Sequence, residues 1–167
     1  MPRVRLRPPR AEDGAQVDPW LPEAIAAIAG RAQPIASLTL CDLVCRWQAE
    51  HPSARTLLGE LADGLVVGIM RLRDAGRGRL LMEALAVRAD RRNLGYGLEM
   101  VMAAETGWPG RLALARVPRA NGLALYFWLR AGYRPFYPFT GPDAEDLDPV
   151  PLWMARALGA GAPVPAL

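Results

Sequence analysis

Val87-Arg-Ala-Asp-Arg-Arg-Asn-Leu-Gly-Tyr-Gly97 lies between Leu80 to Val87, an apolar run interrupted by Glu83, and a stretch where Leu98, Val101 and Met102 recur at helical spacing. A strand, an arginine-rich loop with two close glycines and a helix start describe an anion site. Gly95 and Gly97 let the backbone approach a ligand with no Cβ in the way and admit positive φ. The amides of the first helical turn have no intrahelical acceptor, and the helix dipole favours negative charge there. Arg91 and Arg92 add formal positive charge, so the expected guest is a phosphate or pyrophosphate.

Two common phosphate motifs do not fit. A P-loop ends in Gly-Lys-Ser/Thr, and this chain has no lysine. A dinucleotide fingerprint needs a third glycine where Met100 stands, and an acidic residue on the next strand.

Outward from the loop, the periodicity alternates between strand and helix. Val4 to Arg7 reads as a first strand stopped by Pro8 and Pro9. Residues 11 to 30 are helical in composition but broken near Pro19 and Pro22, with Gly30 as the stop. Thr39 and Asp42 form an N-cap pattern ahead of Leu40, Leu43, Val44 and Trp47, and the helix stops at His51-Pro52. Arg55 to Leu61, Leu65 to Arg73 and Arg79 to Val87 read as a three-strand meander turned at Asp63-Gly64 and at Gly76 to Gly78. After the loop come a helix to Thr106, a strand from Arg111 to Val117, and a helix from Asn121 to Ala131 capped by Gly132. Two further strands follow, Tyr133 to Phe139 and Pro151 to Leu158. The class is α/β, one domain over residues 1–158, with Gly159 to Leu167 expected as a disordered tail.

Composition narrows the function. The chain has 167 residues, 51% of them hydrophobic, enough for one substantial core. Its net charge is +3, and all 20 basic residues are arginines dispersed along the sequence. That dispersion argues against a nucleic-acid surface. Cys41 and Cys45, four apart on a helix and mostly on its apolar side, read as packing cysteines. With His51 the lone histidine, they are too few for a zinc site, and no metal is expected. His51 itself reads as a helix-end residue suited to the C-terminal dipole. Met1 to Arg10 is basic and proline-rich without a following apolar core, and no apolar run reaches membrane-span length. The expectation is a cytoplasmic protein that does not act on membranes.

The loop residues Arg92-Asn93-Leu94-Gly95-Tyr96-Gly97, following Leu85-Ala86-Val87, match Arg-x-x-Gly-x-Gly. They resemble the coenzyme A pyrophosphate loop of the GNAT superfamily, the acetyl-CoA-dependent N-acetyltransferases. Asn121, Ala124, Gly132 and Tyr133 match that superfamily's second motif, in which an asparagine opens a helix and Gly-Phe or Gly-Tyr closes it. The first and last strands are similar too, so the likeness spans nearly the whole chain and is weakest from 11 to 54. It implies a central mixed, mostly antiparallel sheet of about seven strands with helices on both faces. It also implies acetyl-CoA as co-substrate, with a small molecule or peptide supplying a primary amine. Backbone groups of Leu85 and Val87, beside Ala86, would meet the thioester and pantetheine, and Arg92 to Gly97 the pyrophosphate. Asn121 and Ala124 would support the cofactor side, Asn121 chiefly as a helix cap.

Three features bear on chemistry. Glu83 is the ionisable residue within the fourth strand's apolar run and the candidate general base. It has a structural reading as well: a hairpin symmetric about Gly76 sets it opposite Ile69 and diagonal to Arg71, for a cross-strand ion pair. Trp128 stands where many GNAT members carry a tyrosine that protonates the leaving thiolate, and indole cannot do so. The alternative function is therefore an acyl-CoA-binding sensor or weakly active relative. Tyr126, Tyr133 and Tyr137 read as core or rim aromatics. Asp18, Glu23 and Asp42, on the helices that shape the acceptor side in this superfamily, could attract a cationic amine or form a solvated face. The apolar last strands could pair two copies into a homodimer.

Overall fold

Alternating side chains from Arg55 to Val87 build three antiparallel strands, β2 (Arg55–Glu60), β3 (Val66–Asp74) and β4 (Arg79–Val87). The structure, a computed structural model, describes residues 3–28, 37–119, 121–136 and 151–159. β1 (Arg5–Arg7) pairs with β2 on one side of this meander. On the other side β5 (Leu112–Val117) runs parallel to β4, and β7 (Leu152–Ala157) and β6 (Arg134–Pro135) complete the order β1-β2-β3-β4-β5-β7-β6. This is the expected mixed, mostly antiparallel seven-stranded sheet. β7 is paired with β5 along its length and with β6 at Met154 and Ala155, which leaves β6 as the edge strand on this side of the sheet. Gly30, Tyr137 and residues 160–167, on which sequence expectations also fell, lie outside the described residues.

Two helical layers cover the sheet, because its strands carry apolar residues on both faces. On one face, α4 (Tyr96–Thr106) and α5 (Gly122–Arg130) close over Met70, Leu80, Met82, Ala113, Ala115 and Met154. Met100 lies so near the sheet that a Cβ at Gly68 would come within 2.8 Å of its Sδ. α4 buries Met100 and Val101, whereas Leu98 and Met102, expected on its inner face, are 37% and 51% exposed. Each is two residues, about 200° round the helix, from Met100, which points straight at the sheet.

On the other face sit α1 (Gly14–Val17), α2 (Leu21–Ile28) and α3 (Leu40–Glu50), over Leu58, Val66, Ile69 and Ala86. α3 starts where the sequence places it: Thr39 Oγ1 accepts from Asp42 N at 3.1 Å, and Thr39 donates to the Asp42 carboxylate at 2.7 Å. Cys41 and Cys45, expected to pack, are both exposed. Leu40 and Leu43 take the inward arc of the helix, and the cysteines fall about 100° beyond it. Among the described residues, no helix is long and apolar enough to cross a membrane.

A buried ion cluster ties β1 to the helices. Arg7 donates from Nη1 and Nη2 to the two Asp13 carboxylate oxygens, each at 2.7 Å, and from Nε to Glu60 at 2.7 Å. The bidentate hydrogen bonds from Arg7 hold the Asp13 carboxyl below the usual carboxylate range, against the opposing push of burial.

Candidate active site where two parallel strands part

β4 changes character half-way along. From Arg79 to Met82 it pairs in register with Leu112 to Ala115 of β5, and beyond Met82 that pairing stops. On the β3 side, Arg71 pairs with Ala84 and Leu72 with Met82, which leaves Glu83 as the extra residue of a bulge. The hairpin centres on Arg77 rather than Gly76 and the extra residue shifts the register once more, so Ile69 sits opposite Ala86 rather than Glu83, contrary to the symmetric hairpin expected from sequence. The bulge keeps Glu83 on the face of α2 and α3, while Met82 belongs to the opposite core.

A cavity of about 240 Å³ opens there. Ile25 and Ile28 of α2 and Trp47 and Glu50 of α3 form one side, with His51 just past the helix end. Arg71, Glu83, Ala84 and Arg116 of β3, β4 and β5 form the floor. Glu83 binds Arg73 Nε through Oε1 at 2.6 Å, and its Oε2 lies 3.0 Å from Arg71 Nε. That second contact is a meeting of charges without hydrogen-bond alignment, so both Arg71 Nε and Glu83 Oε2 are buried without a hydrogen-bond partner. Arg71 spends its other donors on Glu50 and on the Trp47 carbonyl, each at 2.7 Å, and its guanidinium lies over the Trp47 ring. Both sequence readings of Glu83 therefore meet in one place: it forms the ion pairs, and it faces a cavity.

The glycine loop lies at the carboxyl end of β4. Gly95 is the N-cap of α4 with φ +88°, a left-handed conformation that only glycine adopts without strain. Gly97 is helical and does not use positive φ. It is small because a Cβ there would sit 3.2 Å from the Phe127 ring and 3.4 Å from Val87. Arg92 folds back so that its Nε donates to the Val87 carbonyl at 3.0 Å, closing the loop on the strand it leaves. Arg3 holds the other side, donating to the Leu94 carbonyl at 2.9 Å and packing over the Tyr96 ring. Asn93, Leu94 and Gly95 are exposed, and α4 presents its first-turn amides beside them. Arg3 gives no sign of this role in the sequence, because it is 91 residues from the carbonyl it holds.

The second sequence motif does the work of a cap. Asn121 Oδ1 accepts from Ala124 N at 3.0 Å, and its Nδ2 donates to the Ala27 carbonyl at 2.8 Å. The amide thereby joins α5 to α2, helices on opposite faces of the sheet, at the carboxyl end of β5. Trp128 is buried, packed edge-on against Tyr133 at 4.8 Å between centroids, while Tyr126 is 61% exposed on the opposite side of α5. Tyr133 is in the core as expected, its hydroxyl donating to Glu105 at 2.8 Å. Burial pushes the Glu105 carboxyl above its usual range, partly offset by Tyr133 and Arg156.

Asp18, Glu23 and Asp42 are not among the residues lining the cavity. Asp18 accepts from the Leu40 amide at 2.7 Å, Asp42 caps α3, and Glu23 lies 3.9 Å from Arg92 near the loop. Sequence reasoning missed Glu50, Arg116 and the apolar wall. Among the described residues, no group of three or more His, Cys, Asp or Glu is placed to hold a metal ion.

No family model matches the chain, and no curated protein matches it. Solved structures do. An acetyltransferase from Thermus thermophilus superposes with a TM-score of 0.70 at 22% identity, over 93% of this chain and 97% of that one. A GNAT-family acetyltransferase from Staphylococcus aureus gives 0.64 at 13% identity, over 93% and 99%. This chain has the GNAT fold. A third structure with this fold is a spermidine N-acetyltransferase from Vibrio cholerae in complex with CoA and spermine, at a TM-score of 0.66 and 12% identity, over 93% and 96%. GNAT architecture thus extends over the full described sheet, and at these identities the likeness is one of fold.

Proposed function

We propose that this protein transfers an acetyl group from acetyl-CoA to a primary amine by direct attack, with Glu83 as the base. The observation that carries this reading is Glu83 Oε2, buried without a hydrogen-bond donor at the bulge where β4 leaves β5. A carboxylate has about four lone-pair sites, so the two arginine contacts leave Glu83 able to accept from an ammonium or a bridging water. In this reading the pyrophosphate sits on Arg92 to Gly97 and the α4 first turn, and the pantetheine arm enters between the parted strands. Backbone groups of Leu85 to Val87 then face the thioester, where a donor on the carbonyl oxygen stabilises the tetrahedral intermediate. Glu83 takes one proton from the ammonium and passes it to solvent. The amine nitrogen then bonds to the acetyl carbon as the carbon–sulfur bond breaks, and the second nitrogen proton is lost to solvent as the amide forms. Coenzyme A leaves as a thiolate, tolerable near neutral pH because thiol pKa values lie near 8.5. Trp128, buried and without a hydroxyl, supplies no acid.

That same tryptophan favours a second reading, an acyl-CoA-binding sensor with little turnover. Release of free thiol from acetyl-CoA with a panel of primary amines, followed by mass analysis of the products, separates the two. The transferase gives amine-dependent thiol release that Glu83→Gln suppresses. The sensor binds acetyl-CoA and gives no amine-dependent release.

A further inference from the structure

The groups lining the cavity decide what can draw an amine into it, an inference that rests on the transferase reading. Its charged side chains are engaged already. Glu50 meets Arg71 at 2.7 Å, Glu83 meets Arg73 at 2.6 Å and Arg71 at 3.0 Å, and Arg116 has an interaction partner of its own. Opposite charges around Glu83 thus offset one another for every cationic amine alike, with one ammonium or several, and charge gives none of them an advantage. Glu83 keeps its open Oε2 for proton transfer. The attraction left over is apolar. Ile25 and Ile28 of α2 and Trp47 of α3 pack on the core of this face, are only half-buried, and line the cavity with Ala84. They retain apolar area that a ligand can take out of water. A volume of about 240 Å³ suits a small molecule and leaves no room for a folded protein surface.

We propose that the acceptor is a small primary monoamine with an apolar substituent, its nitrogen toward Glu83 Oε2 and its hydrocarbon part against Ile25, Ile28 and Trp47. Binding then draws on burial, about fourfold in affinity per methylene removed from water. The reacting nitrogen gives up its charge to Glu83 before attack. A second ammonium on the same molecule would stay charged against hydrocarbon, which is costly without a partner. The reaction balances as ammonium plus acetyl-CoA giving the N-alkylacetamide, free coenzyme A and one proton. Trp47 and the two isoleucines set specificity, and the chemistry stays with Glu83.

The test compares kcat/KM for ethylamine, butylamine, hexylamine and 1,4-diaminobutane, with acetyl-CoA binding measured by calorimetry on the same protein. Hexylamine is expected to exceed ethylamine, and butylamine to exceed 1,4-diaminobutane, each by about tenfold or more. Trp47→Ala and Ile25→Ala, each shown folded by its urea midpoint, bring the hexylamine-to-ethylamine ratio toward unity, and Trp47→Phe keeps most of it. A wild-type ratio near one, or 1,4-diaminobutane matching butylamine, overturns apolar selection and leaves the transferase standing. An unchanged ratio in both folded alanine variants overturns the wall as its source. Acetyl-CoA binding with no acetylated hexylamine overturns the apolar monoamine as well. Absence of acetyl-CoA binding overturns it together with the transferase reading beneath it.

Discussion

Arg7 and Arg71 are both buried arginines held by two carboxylates, and they differ in what is left over. Around Arg7 the accounts are closed: Nε goes to Glu60, both Nη atoms to Asp13, Nη1 also to the Pro8 carbonyl, and Asp13 additionally accepts from the Arg10 amide at 2.6 Å. Around Arg71 they are open, with Arg71 Nε and Glu83 Oε2 lacking hydrogen-bond partners beside a cavity. The first cluster joins a strand to a helical turn, and none of its residues lines the cavity. The second lies on the bulge where β4 and β5 separate. The same residue types thus serve stability where every group is satisfied, and invite a ligand where one is not.

The comparison breaks most visibly if stability is tested. Arg7→Met leaves Asp13 and Glu60 without their counter-charge and is expected to cost about 3–5 kcal/mol, read as a lower urea midpoint. Activity per folded molecule should not change. A midpoint within experimental error of wild type would show that the closed cluster does not hold the fold.

Glu83→Gln is expected to lower kcat about 100-fold, the low end for loss of a general base. Its urea midpoint should fall less than that of Arg7→Met, because Arg71 keeps Glu50. Equal kcat would reduce Glu83 to an ion-pair partner.

Acid sharpens the contrast further. The Asp13 carboxyl is held below its usual range by Arg7, so its stabilisation is complete above an unfolded value of about 3.9 and is lost as pH falls through the folded value. Glu105 runs the other way: burial raises its folded value, so stability falls as pH rises from an unfolded value of about 4.3 through the folded one. Chemical denaturation in acid should therefore show the Asp13 slope in wild type and lose it in Arg7→Met. Glu105→Gln should remove the opposing slope at higher pH.

The smallest expected effect is at the helix that carries Glu50 and Trp47. Thr39→Ala removes the α3 cap and should cost about 1 kcal/mol in the urea midpoint. No loss would mean that packing of Leu40 and Leu43 alone sets where α3 begins.

What the sequence disclosed is what depends on near neighbours. The Thr39–Asp42 cap, the Gly64 and Gly76 to Gly78 turns, the Gly95 conformation and the Asn121–Ala124 cap each rest on residues a few positions apart. So does the opposition of Trp128 and Tyr126 on α5. The cavity was out of reach because it gathers residues from α2, α3, β3, β4 and β5. Arg116 becomes part of it only once β5 is known to run parallel to β4. Glu83 and its ion pair with Arg71 were legible, but the register was not: the hairpin centres on Arg77 rather than Gly76, and a bulge adds one residue more without changing hydrophobic pattern. Cys41, Cys45, Leu98 and Met102 were misjudged for a related reason. Helical spacing shows that a face exists, and only packing shows where its edges fall.

The most direct test is a calorimetric titration of acetyl-CoA into the wild type and into Gly95→Val. A valine at φ +88° is strained, and its side chain projects from the loop toward Arg3. The expected result is saturable binding to the wild type that is lost in a variant whose circular dichroism and urea midpoint show it folded. A folded wild type that takes up no acetyl-CoA, or a Gly95→Val that binds as well as wild type, would contradict the assignment of this loop and of the transfer reaction built on it.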